Sequence, residues 1–425
     1  MQTIQNLKVK ETLYIEKLEN GLTIMIIPKK GIQKKYIIWG TKFGSNDSTF
    51  IVPGENEITE VPKGVAHFLE HKMFEQENGK NSLDVLTNLG VSANAYTTND
   101  HTAYLYECTD NFYEALDEFM DYVQHPYFTD ENVEKEKGII GQEIMMYDDY
   151  PEWKVYLNAL EAMYYKNPVK LDITGTVETI KKIDKDILYK CYKTFYHPSN
   201  MAMVVCGDFE PENLLTEIKK RLIKVEPKGK IKRIYPEEPE KIVKEKVEQK
   251  MEVSRPLFTI GIKVRNIEKQ SPEEIVRKDI IIQILLNLLL GESSRLYKKL
   301  YDKGNLSYAP VMEFEFSSTY AHILMSGQSN NPEELFNELK NEINQTKKEG
   351  IKEEDFKRIK KMLYGDYIKD YNDASNIARM FLVDYFKGVD SFQYLEQMES
   401  IHLEDLTQVL EDVFDENKMI LSIVK

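Results

Sequence analysis

One order of predicted secondary-structure elements occurs twice along the chain, and this repetition limits the folds open to it. Each half begins with a strand, continues through an apolar helix, an amphipathic helix and an alternating strand pair, and ends in two further helices. The opening strands cover 35–43 and 255–264, and the apolar helices cover 61–75 and 273–290. The repetition predicts an α+β fold of two homologous domains, each a mainly antiparallel sheet with packed helices.

A segment rich in lysine and glutamate separates the two halves. It is basic at its start and balanced by glutamate afterwards, which is typical of a solvated linker. We predict a first domain over 1–225, a linker over 226–250 and a second, homologous domain over 251–425. A length of 425 residues is large for one hydrophobic core, which agrees with this division.

Composition and charge narrow the class of protein. Apolar residues make up 42% of the chain and charged residues 30%, and the formal net charge is −15. Because nucleic-acid-binding domains usually carry a basic face, we expect no nucleic-acid partner. No apolar run reaches the ~20 residues that span a bilayer, and the first residues lack a secretory signal, so we expect a cytoplasmic protein without membrane association. Cys108, Cys191 and Cys206 lack metal-site or disulfide spacing and are expected to be small buried residues.

The predicted helix GVAHFLEHKMFE, residues 64–75, carries polar groups among apolar ones. His67, Glu70 and His71 are spaced i, i+3 and i+4, which places them on one helix face. Burial of such groups without partners is unfavourable, and a metal ion would remove that cost. Two neutral imidazoles one turn apart can both bind Zn²⁺ at about 2.1 Å, with Glu70 near the ion but outside its ligand set.

The second half of the chain provides an internal comparison for this helix. Its aliphatic stretch, IIIQILLNLLL, contains Gln283 and Asn287 but no histidine and no carboxylate. The repeated architecture therefore does not require the charged trio, which favours a chemical role over a structural His/Glu network.

A second predicted helix supplies the missing ligand. A catalytic zinc site usually has three protein ligands and keeps a fourth position for water. Glu136 and Glu143 lie seven residues apart, on a helix face that also carries Ile139, Ile140 and Met146. Because a carboxylate on an apolar face needs a cation, we predict Glu143 as the third ligand and Glu136 as the partner that orients a histidine.

These residues resemble the pitrilysin/insulinase family of zinc metallopeptidases, which includes the mitochondrial processing peptidase. The order His-x-x-Glu-His is that of the inverzincins, and the resemblance covers essentially the whole chain. It implies that His67, His71 and Glu143 bind one zinc ion per chain and that Glu70 is the general base. The family also has a glutamate seven residues before the distal ligand, which Glu136 matches.

The resemblance implies a mode of substrate binding. The run ANAYT, residues 93–97, is similar to the edge strand onto which a substrate peptide adds as an extra strand. Asn94, Ala95 and Tyr96 are the residues of this run that we expect to contact the peptide.

It also implies an assembly. Family members of this length form one half of a clamshell that closes with a second half, as a homodimer or as a heterodimer with a paralogue. The second domain of the facing half usually supplies an arginine and a tyrosine to the active site. Tyr308 matches that tyrosine and is expected to be catalytic, whereas Tyr301 stands where the arginine is expected.

The predicted function is that of a zinc-dependent endopeptidase that hydrolyses peptides or unfolded segments in an enclosed chamber. The alternative is a non-catalytic or regulatory partner subunit of a peptidase complex, although such subunits usually lose part of the zinc motif. A third hypothesis, a nucleic-acid-associated metalloprotein, fits neither the charge nor the motif.

Overall fold

The computed structural model describes residues 1–226, 228–265 and 270–425. Its strands are β1 (Gln2–Asn6), β2 (Glu11–Lys17), β3 (Thr23–Pro28), β4 (Lys35–Thr41), β5 (Thr49–Ile51), β6 (Ile58–Glu60), β7 (Ser92–Thr97), β8 (Thr102–Cys108), β9 (Met201–Gly207), β10 (Lys232–Arg233), β11 (Lys246–Gln249), β12 (Leu257–Lys263), β13 (Val311–Phe316), β14 (Ala321–Gln328) and β15 (Met419–Val424). Its α-helices are α1 (Val65–Lys72), α2 (Ser82–Asn88), α3 (Phe112–Gln124), α4 (Asp130–Asp148), α5 (Pro151–Met163), α6 (Val177–Ile180), α7 (Lys185–Phe195), α8 (Pro211–Arg221), α9 (Pro272–Leu290), α10 (Arg295–Asp302), α11 (Pro332–Glu349), α12 (Glu353–Asp370), α13 (Ala374–Lys387), α14 (Gln393–Ser400) and α15 (Leu403–Val413). Among the described helices, none combines the length and the apolar character needed to cross a bilayer.

The chain forms two compact units, and each unit draws on separate stretches of sequence. Unit 1 consists of Met1–Ile144, Asp172–Ile234 and Ile368–Ser391, and unit 2 consists of Met145–Leu171, Tyr235–Tyr367 and Phe392–Lys425. The units differ from the predicted ranges 1–225 and 251–425 because α5 belongs to unit 2 and α13 to unit 1. The predicted linker, 226–250, contributes β11 to the sheet of unit 2, and its residue 227 lies outside the described residues.

Unit 1 contains a seven-stranded sheet in the order β1-β2-β3-β9-β4-β8-β7. β3 and β9 run parallel, and the other neighbours are antiparallel. Side chains alternate between the faces of a strand, so β4 is covered on both sides. Trp39 lies against Phe119 of α3, at 6.3 Å between ring centroids. Gly40 faces the other way, where a Cβ atom would meet Leu382 and Phe386 of α13.

Unit 2 repeats this plan with five strands in the order β11-β15-β12-β14-β13. Its parallel pair β11·β15 corresponds to β3·β9, and β12, β14 and β13 follow as β4, β8 and β7 do in unit 1. Helix α5 packs on β11, β12 and β15. The predicted α+β class and the predicted repetition are therefore both confirmed.

The start of α1 depends on close backbone packing. Gly64 precedes the helix with φ of 89°, in the left-handed region that favours glycine. A Cβ atom at this position would lie 2.3 Å from the carbonyl oxygen of Thr174. Gly64 therefore allows the backbone of 172–175 to approach the first turn of α1 and sets where the helix begins.

Candidate metal centre

Helix α1 carries two members of its polar trio, His67 and Glu70, inside the core of unit 1, whereas His71 is partly exposed, with 26% of its side chain accessible. Val65, Phe68 and Leu69 are buried in the main hydrophobic cluster. His67 and Glu70 are each only 8% exposed. Because the helix is buried nearly all round, its polar groups need partners from other elements or from a bound ion.

Three predicted ligands converge at this helix. The Nε2 atom of His67 lies 3.6 Å from Oε1 of Glu143, and the Nε2 atom of His71 lies 3.5 Å from Oε2. One ligand atom from each of the three side chains lies within 4.8 Å of the others, so the group could hold a metal ion. Two ligands that are each about 2.1 Å from a tetrahedral Zn²⁺ ion would be about 3.4 Å apart. The two distances from the histidines to Glu143 therefore fit an ion bound by His67, His71 and Glu143.

The two histidines have different electrostatic environments. Burial, together with a smaller effect of the neighbouring His71, lowers the pKa of His67 to about 3, so His67 is neutral, as a metal ligand must be. Burial also acts to lower the pKa of His71, but the hydrogen bond to Glu136 and the charges of Glu70, Glu136 and Glu143 raise it overall. Burial raises the pKa of the Glu143 carboxyl group.

Glu136 lies within hydrogen-bonding distance of His71, the contact that its predicted role as an orienting partner needs. The Nδ1 atom of His71 lies 3.1 Å from Oε1 of Glu136, a hydrogen bond that leaves Nε2 directed at Glu143. Such support of the remote ring nitrogen is typical of metal-binding histidines. Within the described residues, Nδ1 of His67 has no equivalent partner. Burial acts to raise the pKa of Glu136, but the hydrogen bond with His71 and the charge of Lys72 lower it overall.

Two neighbours of the site were missed at the level of sequence. Lys72 is buried beside Glu136, and Thr97 donates a hydrogen bond to Glu70 at 2.6 Å. A lysine in a helix whose apolar residues predict burial was a signal for Lys72. Strand alternation was a signal for Thr97, because it shares a face of β7 with Ala95, which packs against the core.

Glu70 lies beside the three candidate ligands with its carboxylate held in place. Thr97 Oγ1 donates to Oε2 of this carboxylate. Burial raises the pKa of Glu70; the hydrogen bond from Thr97 and the charge of His71 oppose this rise, and Glu143 adds to it. A buried carboxylate with a raised pKa can both accept and return a proton near neutral pH.

Strand β7 forms an edge of the sheet next to this centre and pairs with β8 in the described structure. Asn94 and Ala95 line a cleft of about 460 Å³ together with Glu70 and His71. The ring of Tyr96 has its contacts on the opposite face of the strand, where the guanidinium group of Arg379 lies 5.4 Å from the ring centroid. Asn94 and Ala95 therefore lie along the cleft, whereas Tyr96 is not among the residues that line it.

The apolar face predicted on α4 is only partly buried. Ile140 is buried, but Ile139 is 47% exposed and Met146 is 60% exposed. Ile139 is exposed because it lines the cleft together with Glu136. The argument that Glu143 could bind a cation thus depends on its distances to two histidines and not on an apolar surface around it.

Tyr308 and Tyr301 lie in unit 2, where each is 53% exposed. Tyr301 belongs to α10, and Tyr308 lies in the connection to β13. The role of Tyr308 in the active site of a facing chain stays a prediction.

Comparison with known proteins decides the family. Residues 53–177 match the family model described as Insulinase (Peptidase family M16), and residues 182–363 match the model described as Peptidase M16 inactive domain. A Bacillus subtilis protein named as an uncharacterized zinc protease, YmfH, is 38% identical over 414 residues, which is 97% of this chain and 96% of that protein. This chain belongs to peptidase family M16.

Solved structures agree with this family membership. An M16-like peptidase from Alicyclobacillus acidocaldarius has a TM-score of 0.92 and 32% identity, over 97% of this chain and 98% of that chain. A protease from Helicobacter pylori, at 21% identity, shows the same fold with a TM-score of 0.80, over 97% of this chain and 99% of that one. The resemblance to the pitrilysin/insulinase family is confirmed.

Proposed function

We propose that this chain is a zinc-dependent endopeptidase that hydrolyses peptides or unfolded segments. In this proposal His67, His71 and Glu143 are the zinc ligands, and Glu70 is the general base. The observation that carries the proposal is the convergence of three ligand atoms within 4.8 Å, with Glu70 on the same helix as the two histidines. Membership of family M16 and the names of relatives as zinc proteases support it.

The residues of this chain account for the proton transfers of peptide hydrolysis. When bound, zinc would supply Lewis acidity for the scissile carbonyl and for the attacking water. Glu70 accepts a proton from that water as its oxygen bonds to the carbonyl carbon. Glu70 then transfers the proton to the amide nitrogen, so that the C–N bond breaks and a neutral amine leaves. Thr97 keeps the Glu70 carboxylate in one orientation throughout.

The edge position of β7 supports binding of an extended peptide. A peptide that adds to an edge strand is held by backbone hydrogen bonds, which tolerate many sequences, while pockets for side chains set preference. Asn94 and Ala95 would contact the substrate along the cleft, and Tyr96 would contribute its backbone. An enclosed chamber, formed with a second copy or a paralogue that supplies Tyr308, belongs to this proposal through the family resemblance.

The test is Glu70→Gln, which keeps the size of the side chain but removes its ability to accept a proton. We expect one zinc ion per chain in both proteins and a fall in peptide cleavage of about 10²- to 10⁴-fold in the variant. The measurements are metal content and a mass-spectrometric cleavage profile on a peptide library, with and without a chelator. Glu77→Gln, at an exposed position of the nearby 75–81 loop, is the matched control and should cleave like the wild type.

Two results would contradict the proposal. Cleavage by Glu70→Gln at the wild-type rate would exclude Glu70 as the base. A wild-type protein that binds zinc but cleaves no peptide, alone or mixed with a paralogue, would instead support a non-catalytic or regulatory partner subunit.

A further inference from the structure

Lys72 places an ammonium group in the core of unit 1, directly after His71. Its side chain is only 1% exposed, a degree of burial that lysine reaches only with charged or polar partners. Its Nζ atom donates to Oε2 of Glu75 and lies 3.5 Å from Oε2 of Glu136. Lys72 therefore pairs with two carboxylates, one of which supports a candidate metal ligand.

The contacts of Lys72 continue toward the metal centre through Glu136. The two oxygens of Glu136 are used differently, since Oε2 faces Lys72 and Oε1 is bonded to Nδ1 of His71. A carboxylate held at both oxygens has little freedom to rotate, so the ring of His71 is fixed with Nε2 toward Glu143. Within the described residues, Nδ1 of His67 has no partner that could do the same. Of the two histidines, His71 is therefore the one whose ring orientation Glu136 fixes.

We infer that Lys72 is a positioning residue of the metal centre, which holds Glu136 in the orientation that fixes His71 and thereby strengthens metal binding. The inference rests on the proposed zinc site but not on peptidase activity. Lys72 borders the cleft, but only 1% of its side chain is exposed and its Nζ atom is directed at the carboxylates of Glu75 and Glu136. The competing interpretation is a purely structural ion pair, in which Lys72 and Glu75 stabilise only the end of α1.

The experiment compares zinc affinity in Lys72→Met, which keeps the length of the side chain, and Lys72→Arg, which keeps its charge. Loss of groups that orient a metal ligand typically weakens metal binding by about 10- to 100-fold, and we expect about a 10-fold loss in Lys72→Met. Lys72→Arg should bind nearly as the wild type does. The affinity is measured by competition with a chromogenic chelator, and the absorption bands of the Co²⁺-substituted protein report the ligand geometry.

The matched control is Lys220→Met. Lys220 forms the same kind of i,i+3 pair with Glu217, at 2.6 Å, but its side chain is 62% exposed and does not line the cleft. The Lys220→Met substitution should leave both the zinc affinity and the Co²⁺ spectrum unchanged.

A double-mutant cycle separates positioning from general stability. If Lys72 acts through Glu136, then Lys72→Met should cost little more in the background of Glu136→Gln, because the coupled effects are not additive. Zinc affinity equal to that of the wild type in folded Lys72→Met, or losses that add independently, would overturn the inference. Should Lys72→Met fail to fold, Lys72→Gln is measured under the same criteria.

The outcomes for the two proposals are distinguishable. A wild-type protein that binds zinc tightly but cleaves no peptide would contradict the proposed function. The role of Lys72 would still be tested by the zinc affinity of Lys72→Met. A wild-type peptidase whose Lys72→Met variant binds zinc unchanged would contradict this inference alone.

Discussion

At the scale of single residues, the candidate centre depends on partners that come from different elements. Glu70 and His71 are adjacent on α1, yet their partners come from different elements. Glu136 of α4 bonds to His71, and Thr97 of β7 donates to Glu70. Each of these contacts restricts a side chain whose chemistry depends on its orientation. The roles of Glu136 and Thr97 can therefore be tested separately from the roles of the ligands and of the base.

Thr97→Val removes the hydroxyl group that donates to Glu70 while preserving the shape of the side chain. A hydrogen bond to a charged group contributes about 1.5 kcal/mol, and a loss of this size corresponds to about a tenfold slower reaction. Because the donor lowers the pKa of Glu70, its removal should also shift the acidic limb of the kcat/KM profile to higher pH. Zinc content should not change, and Thr97→Ser should retain activity. An unchanged rate and an unchanged pH profile in Thr97→Val would exclude this role.

At the scale of elements, the position of α1 depends on how its first turn meets the 172–175 segment. Gly64 has a positive φ, and the carbonyl oxygen of Thr174 occupies the space where a Cβ atom would lie. Gly175, on the other side of the contact, would place a Cβ atom 2.6 Å from the carbonyl oxygen of Lys63. The two glycines thus permit a backbone approach that locates both histidines of the helix.

Gly64→Ala should destabilise unit 1 by more than the cost of placing an alanine at a positive φ. A left-handed conformation costs a residue with a Cβ atom about 1–2 kcal/mol, and the clash with Thr174 adds to this cost. Gly90→Ala is the control, because Gly90 also has a positive φ, of 74°, but has no atom within 4 Å of an added Cβ. The measurements are chemical unfolding and zinc affinity. Equal losses of stability in the two variants would show that the close approach at Gly64 contributes nothing.

At the scale of the whole molecule, the two units do not coincide with the two halves of the sequence. Helix α13 comes after a long segment of unit 2 in the sequence. It nevertheless packs on β4 and β9 of unit 1. Its contacts with that sheet include a hydrogen bond of 2.8 Å between Tyr385 and Thr23, and Leu382 is fully buried. One face of the unit 1 sheet is therefore covered by residues from the far end of the chain.

A fragment of residues 1–225 should not fold as an independent catalytic domain. Without 368–391, apolar residues on β4 and β9 would be exposed to water, which is unfavourable in proportion to the area uncovered. We expect the fragment to bind a hydrophobic dye and to lack a cooperative thermal transition. Co-expression with residues 226–425 should restore both folding and zinc binding. A sharp unfolding transition in the isolated fragment would contradict this expectation.

The sequence by itself determined the repeated α+β plan and the positions of the candidate ligands along each element. Periodicity reports which side chains share a face, and so the spacing of His67, Glu70 and His71 was sufficient to place them together. The spacing of Glu136 and Glu143 placed those two side chains on a second helix in the same way. The internal repeat was sufficient to predict two sheets of the same kind.

Only the tertiary structure decided which faces meet and at what distance. Periodicity within one element carries no information on its neighbour, so the bond from Thr97, the contact of Lys72 with Glu136 and the exposure of Ile139 were not foreseen. The assignment of α5 to unit 2 and of α13 to unit 1 was not predicted for the same reason. The packing of a helix on a sheet depends on the complementary shape and the apolar area of the two surfaces, not on the order of the elements in the chain. The sequence thus specified the chemistry of each side chain in the site, and the packing of α1, α4 and β7 specified their geometry.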